Sequence, residues 1–208
     1  KRKIDILDKK FETSDIRPLY LTPSIYDQYS KIERENNRGC NDALIECSTH
    51  LKKIAKQRNT TVIDLNSSMK HIMERELQND SLFTIVGKDR VHPETTGHFI
   101  MFHEILSTIE SLSLVAQISI DLHQKPRVQT KNCVVEKFQI SNETITFNCL
   151  ENSLPFPINE ALEKAISLVP FQNNFNKEIL QIKGLKEGEY DLFIQEKLIN
   201  TFAIKKLN

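Results

Sequence analysis

The sequence predicts an α/β unit over residues 1–113 and a small β-rich region over residues 114–208. Three observations predict this. Compact apolar, β-branched runs alternate with amphipathic helical stripes through the first half. Near Leu114 the helical periodicity stops and short alternating segments take over. With 208 residues, the chain can bury a sizeable core in one domain or in two small ones.

Residues 3–11 read as the end of a charged surface helix. Residues 16–21 are short, apolar and β-branched at their start, and Pro18 disfavours a helix, so they read as a parallel strand. The long polar loop over residues 22–38 is a candidate cleft lining, with Tyr26 and Tyr29 as candidate wall residues. Ser24 sits at a strand end, where a nucleophile can sit. No glycine flanks it as a nucleophile elbow requires, so it reads as a turn or helix-start hydroxyl. Asn41 or Asp42 reads as the N-cap of a helix over residues 42–58. The stripe of that helix is Leu44, Cys47, Leu51, Ile54 and Ala55, and Asn59 ends it.

Residues 61–65 form the next expected strand, with Asp64 as a turn former at its end. Ser67 or Ser68 is then expected to cap a helix reaching about residue 79, with Met69, Ile72, Met73 and Leu77 inward and His71 exposed. Residues 82–85 read as a further strand. Thr95 or Thr96 is expected to cap a helix to about residue 113, burying Phe99, Phe102, Ile105, Leu106 and Ile109. Gly97 permits close backbone approach there. His98 and His103 read as structural.

Beyond residue 114, strands are expected at 115–120, 134–140 and 144–149, the last two joined by a turn at Asn142-Glu143. Pro155 and Pro157 mark an extended connection. Residues 159–168 read as a short helix with Ala161, Leu162, Ala165 and Ile166 inward. Three more strands are expected at 179–182, 190–194 and 198–204, with a turn near Gln195-Glu196.

Lys plus Arg and Asp plus Glu both number 28, so the formal net charge is zero and no nucleic-acid partner is expected. No run approaches the roughly 20 apolar residues of a membrane span. The chain has five glycines and no glycine-rich phosphate loop. Cys40 and Cys47, two helical turns apart, lie about 10 Å from each other, too far for a disulfide. Cys133 and Cys149 fall on neighbouring expected strands, where pairing and free thiols are both open. No pair has the spacing of a zinc site, and neither a metal nor an organic cofactor is expected.

The chemistry-bearing stretch is Asp89-Arg90-Val91-His92-Pro93, followed by Gly97-His98. An acid and an imidazole three residues apart, in a loop stiffened by proline, can face one point. The carboxylate then holds one ring nitrogen and leaves the other to take a proton from a nucleophile. The plainer alternative is a turn cap at Asp89 with His92 as a surface or core residue.

That stretch, with Met101, resembles the last block of the SGNH/GDSL hydrolases. The resemblance extends to Pro18-Leu19-Tyr20-Leu21-Thr22-Pro23-Ser24-Ile25-Tyr26-Asp27 and to Asn41-Asp42-Ala43-Leu44. In the tail it extends to Glu151-Asn152-Ser153-Leu154-Pro155-Phe156-Pro157, to Val169-Pro170-Phe171, and to Lys183-Gly184-Leu185 leading to Gly188-Glu189-Tyr190. The family implies a flavodoxin-like, three-layer α/β/α esterase fold, here partial and followed by the β-rich region. It implies a serine nucleophile, a histidine base and an aspartate orienter, with a serine amide, a glycine amide and an asparagine side chain as oxyanion donors. His92 matches the base and Asp89 the orienter. Nothing matches the Gly-Asp-Ser block. Gly39-Cys40-Asn41-Asp42 has the oxyanion-block pattern in the wrong place.

The chain is therefore expected to be a C-terminal portion of a serine-type ester hydrolase, inactive alone. The expected partner is a small ester, acetylated carbohydrate included. Family analogy favours a secreted or periplasmic setting. The missing half, or self-association, is expected to complete the sheet. The competing expectation is a non-catalytic structural or carbohydrate-binding portion of a larger protein.

Overall fold

A computed structural model describes residues 2–109, 114–141 and 143–205. They are mixed α/β and form two units. One is Lys1–Ser111 with Pro157–Asn174, and the other is Leu112–Phe156 with Phe175–Asn208. The helical segment Pro157–Asn174, which lies inside the β-rich stretch of sequence, thus packs with the first unit.

In the first unit, helix α1 (Arg2–Thr13) is tied to helix α2 (Cys40–Arg58) by Arg58. Its guanidinium donates to Asp8 Oδ2 at 2.7 Å and reaches Glu12 Oε1 at 2.7 Å. The Tyr20 hydroxyl donates to the same Asp8 carboxylate. Arg58 lowers the Asp8 pKa, while burial, then the Asp8 contact, pushes the Tyr20 hydroxyl up to about 12. Arg58→Ala is expected to release α1, seen as faster amide exchange there than in α2. Equal protection of the two helices would contradict this anchoring.

Strand β1 (Tyr20–Leu21) pairs in parallel with β2 (Val62–Ile63), Tyr20 opposite Val62. Both strands are shorter than the apolar runs at 16–21 and 61–65. Pro18 has no N–H to pair, and its carbonyl accepts from the Thr60 hydroxyl instead. At the other end Asp64 leaves the ladder to cap helix α3 (Leu65–Glu76), accepting from Ser67 N at 3.3 Å. The cap is therefore Asp64, one turn earlier than Ser67 or Ser68. Neither Asn41 nor Asp42 caps α2. Gly39 occupies that position with φ 86°, a left-handed conformation, and Asn41 faces inward from the first turn, fully buried.

Tyr20, Leu51, Ile54 and Ala55 form one apolar cluster with Ile4 and Val62. Met69 and Met73 are fully buried on α3. Burial of such a side chain contributes roughly 1.5–3 kcal/mol.

Helix α4 (Thr95–Thr108) follows the Asp-His loop, with Glu94 rather than a threonine at its cap position. Its buried line is Gly97, Phe99, Ile100 and His103, while Ile109 is exposed. The expected stripe is thus rotated. At Gly97 the first turn of the helix lies close against the Ile85 carbonyl. The expected extension beyond residue 109, over 110–113, lies outside the described residues. Residues 82–85 form no strand, and only Val86 makes an isolated antiparallel bridge, to Pro93.

A 3-10 turn (Glu160–Leu162), helix α5 (Glu163–Leu168) and helix α6 (Phe171–Phe175) follow in the returning segment. Ala165 and Leu168 point inward, whereas Ala161 is exposed, because the 3-10 turn shifts the phase of the stripe. Phe171 is buried against Phe99, with ring centroids 4.8 Å apart. Asn174 Nδ2 lies 3.1 Å from His103 Nε2.

Burial pushes the His103 pKa below its ordinary value. The unfolded chain then binds that proton more readily than the folded one, so stability is lost as pH falls below about 6.5. Thermal midpoints are expected to drop from about pH 7.5 to 5.5, and His103→Gln should flatten that drop. An equal drop in the variant would remove His103 as the cause.

The second unit holds seven strands among the described residues: β3 (Leu114–Asp121), β4 (Val128–Lys131), β5 (Cys133–Ser141), β6 (Thr144–Glu151), β7 (Lys177–Lys183), β8 (Gly188–Ile194) and β9 (Lys197–Ile204). The central sheet runs β4-β3-β7, with β3 antiparallel to β4 and parallel to β7. β5–β6 and β8–β9 are antiparallel hairpins. Asn142, half of the expected β5–β6 turn, lies outside the described residues, and Glu143 there has φ 65°. Ala116, Ile118, Ile120 and Cys133 form the core of this unit with Phe138, Phe147 and Ile182. Cys133 and Cys149 are free thiols. Cys133 stands opposite Glu151 and Cys149 opposite Val135, so the two are not directly paired across the ladder.

Candidate active site

Residues 86–93 close on themselves through the Val86–Pro93 bridge and a 2.7 Å bond from Gly87 N to His92 O. Inside the turn, Asp89 Oδ1 accepts from Val91 N at 3.0 Å and from His92 N at 3.1 Å. This is the self-bonding that makes aspartate a turn residue. It leaves Oδ2 for the imidazole, and His92 Nδ1 lies 2.6 Å from it. Asp89 is therefore both the turn cap and the histidine's partner.

The bond from His92, then the two backbone N–H groups, hold the Asp89 carboxyl down to about 2. An ionised carboxylate only accepts, so Nδ1 carries the ring proton and Nε2 of the neutral ring keeps its lone pair, turned away from Asp89. The His92 side chain is 84% exposed. Among the described residues no hydrogen bond engages its Nε2. Sequence and structure thus agree on which two side chains meet.

Other residues singled out by sequence lie elsewhere. Ser24 is half-buried, and its carbonyl accepts from Asn66 Nδ2. Tyr26 is buried, its hydroxyl accepting from Asn37 N at 2.9 Å, so it holds the 22–38 loop together from within. The Tyr29 hydroxyl accepts from Asn41 Nδ2 at 3.1 Å. Asn41 Oδ1 in turn accepts from Tyr26 N and Asn66 Nδ2. This buried amide network occupies the Gly39-Cys40-Asn41-Asp42 stretch with structure. His71 and His98 are exposed.

Sequence reasoning passed over two residues beside the pair. Arg90, between the acid and the base, is 2% exposed and has φ 67°. Its Nη1 donates to the carbonyls of Asp27 (2.9 Å) and Ser30 (3.2 Å), and its Nη2 to those of Ile32 (2.9 Å) and Arg34 (3.1 Å). Asp27 is fully buried and binds Tyr29 N and Ser30 N at 3.0 Å each. A left-handed, non-glycine backbone costs about 1–2 kcal/mol, which the guanidinium's bonds offset. No periodicity marks such a residue. The only hint was an arginine inside a short proline-ended bend.

Among the described residues no group of three or more His, Cys, Asp and Glu side chains is placed to hold a metal ion. Nor, among them, is any helix long and apolar enough to cross a membrane.

No protein-family model matches the chain, and no curated protein does. Among solved structures it is similar to BT4096, a gut microbial diltiazem-metabolizing enzyme, with a TM-score of 0.79 and 24% sequence identity. The match covers 97% of this chain and 48% of that one, so the chain spans about half its neighbour's length. At that identity the likeness shows a shared mixed α/β fold.

Proposed function

We propose that the chain supplies the base and the orienter of a serine-type ester hydrolase of the SGNH/GDSL kind. The observation that carries this reading is the 2.6 Å contact from Asp89 to His92 Nδ1, with Nε2 open to solvent. In that chemistry Nε2 of His92 takes the proton of an attacking serine hydroxyl and returns it to the leaving alkoxide. Asp89 fixes the tautomer and stabilises the imidazolium. The serine and the oxyanion donors come from residues other than these 208. The flavodoxin-like α/β/α architecture belongs to the same proposal. The substrate class is a small carboxylic ester, acetylated carbohydrate included. The structural neighbour is described as a diltiazem-metabolizing enzyme, which is compatible with a catalytic role for this fold.

The test uses the full-length protein with an aryl acetate and a serine-reactive fluorophosphonate. Turnover together with labelling of one serine is the expected result. Neither turnover nor labelling would end the proposal. The 208 residues alone are expected to release no product, because a base without its nucleophile and oxyanion donors lacks the reacting groups.

The second reading, a non-catalytic portion of a larger protein, draws on one observation: among the described residues no hydroxyl engages Nε2 of His92. Failure of both arms above in the full-length protein would favour it.

A further inference from the structure

The Asp89 and His92 side chains stand largely in solvent, 45% and 84% exposed. Side-chain packing therefore does not fix their geometry, and the backbone between them must. Of the two residues between them, Val91 is exposed and Arg90 is buried. The left-handed turn at Arg90 sends one side chain inward while its neighbours project outward. The guanidinium ends on four carbonyls spread over Asp27, Ser30, Ile32 and Arg34. The contact is reciprocal, since Asp27 N donates to Arg90 O at 2.9 Å. Ser30 Oγ, bonded to the buried Asp27 carboxylate, lies 3.5 Å from Nη1. The charge thus sits among carbonyl dipoles with a buried carboxylate one hydroxyl away.

We infer that Arg90 is the positioning residue of the Asp89–His92 pair, pinning the bend that carries both to the loop over residues 27–34. A lysine keeps the charge but has one nitrogen, which cannot span carbonyls that two guanidinium nitrogens divide between them. The geometry stands by itself. Its catalytic meaning rests on the hydrolase reading above.

The test is made first on the 208-residue chain, as Arg90→Lys and Arg90→Gln, by following the Asp89 carboxyl through a carbon-13 NMR pH titration. In the parent the midpoint is expected at about 2, against an ordinary 3.8, because His92 and two backbone N–H groups bond the carboxylate. Both variants are expected to move it up toward the ordinary value, with the helical circular dichroism retained. A folded Arg90→Lys chain with the parent midpoint would overturn the inference. So would loss of the whole first unit in both variants, because Arg90 would then hold the core rather than the pair. The same variants in the full-length protein should lower kcat by about ten- to a hundredfold with KM within about twofold. An unchanged kcat in an active parent would likewise overturn the inference. A parent with no turnover would sink the hydrolase reading alone, since the titration needs no ester.

Discussion

Replacing His92 by alanine is expected to lower ester turnover of the full-length protein by about 10⁴-fold or more, the scale on which triad members act. The argument is geometric. Asp89 Oδ2 holds Nδ1 at 2.6 Å, so Nε2 is the nitrogen left to accept a proton. On the proposed hydrolase reading, removing the ring would take away both the acceptor and the later donor to the leaving group. Asp89→Asn should cost a comparable factor by a different route, because an amide can present its N–H to Nδ1 and stabilise the wrong tautomer. With the Asp89 carboxyl held to about 2, its charge persists from neutral to mildly acid pH. Its support for the bend is lost only as pH falls from the ordinary carboxylate value through about 2. Asp89 should therefore contribute no change of activity between about pH 7 and 5. Steady-state rates of the full-length His92→Ala variant decide the matter, and retained turnover would remove His92 from the mechanism.

Gly97→Ala is expected to be the most damaging single methyl addition in the first unit. A Cβ there would stand 2.3 Å from the Ile85 carbonyl oxygen and 2.8 Å from Pro93 Cβ. Neither neighbour is a flexible side-chain tip. One is backbone, and the other is the ring that ends the Asp-His bend. Overpacking of this kind costs about 1–3 kcal/mol, and the rigidity of both neighbours puts this site at the upper end. For a domain of this size a thermal midpoint lower by about 4 °C or more is expected by calorimetry. The disturbance also falls on Pro93, the residue after His92, so on the proposed reading turnover of the full-length protein should drop with it. A midpoint equal to the parent's would show that α4 does not press on the Ile85 backbone.

The parts of the fold legible in sequence were those written as periodicity. Leu51, Ile54 and Ala55 on α2, and Met69, Ile72 and Met73 on α3, face inward as their spacing predicts. The Asp89–His92 contact was legible too, because a three-residue separation in a bend leaves little choice of partner. Apolar runs at 16–21, 61–65 and 82–85 overstated strand length, since a run of β-branched and apolar residues reports burial and not ladder pairing. In residues 82–85, Phe83 and Ile85 are buried without pairing in a ladder, while Leu82 is exposed. β4 escaped notice because Val128 is the single apolar residue in Val128–Lys131. The buried polar groups were invisible altogether. Asp27, Asn41, Asn66 and Arg90 carry no periodic signal of burial, and only the coordinates show them buried and hydrogen-bonded.

The parallel partnership of β3 with β7 joins strands that flank the helical excursion through Pro157–Asn174. Each unit is therefore stitched from two separate lengths of polypeptide, and neither can be excised with one cut. A protease nick near residue 113 would leave β3 and β7 on the same piece, yet strip the first unit of Phe171 and its aromatic neighbours' cover. Ribosomal synthesis meets the same constraint: the unit begun first cannot finish its packing until Pro157–Asn174 has been made.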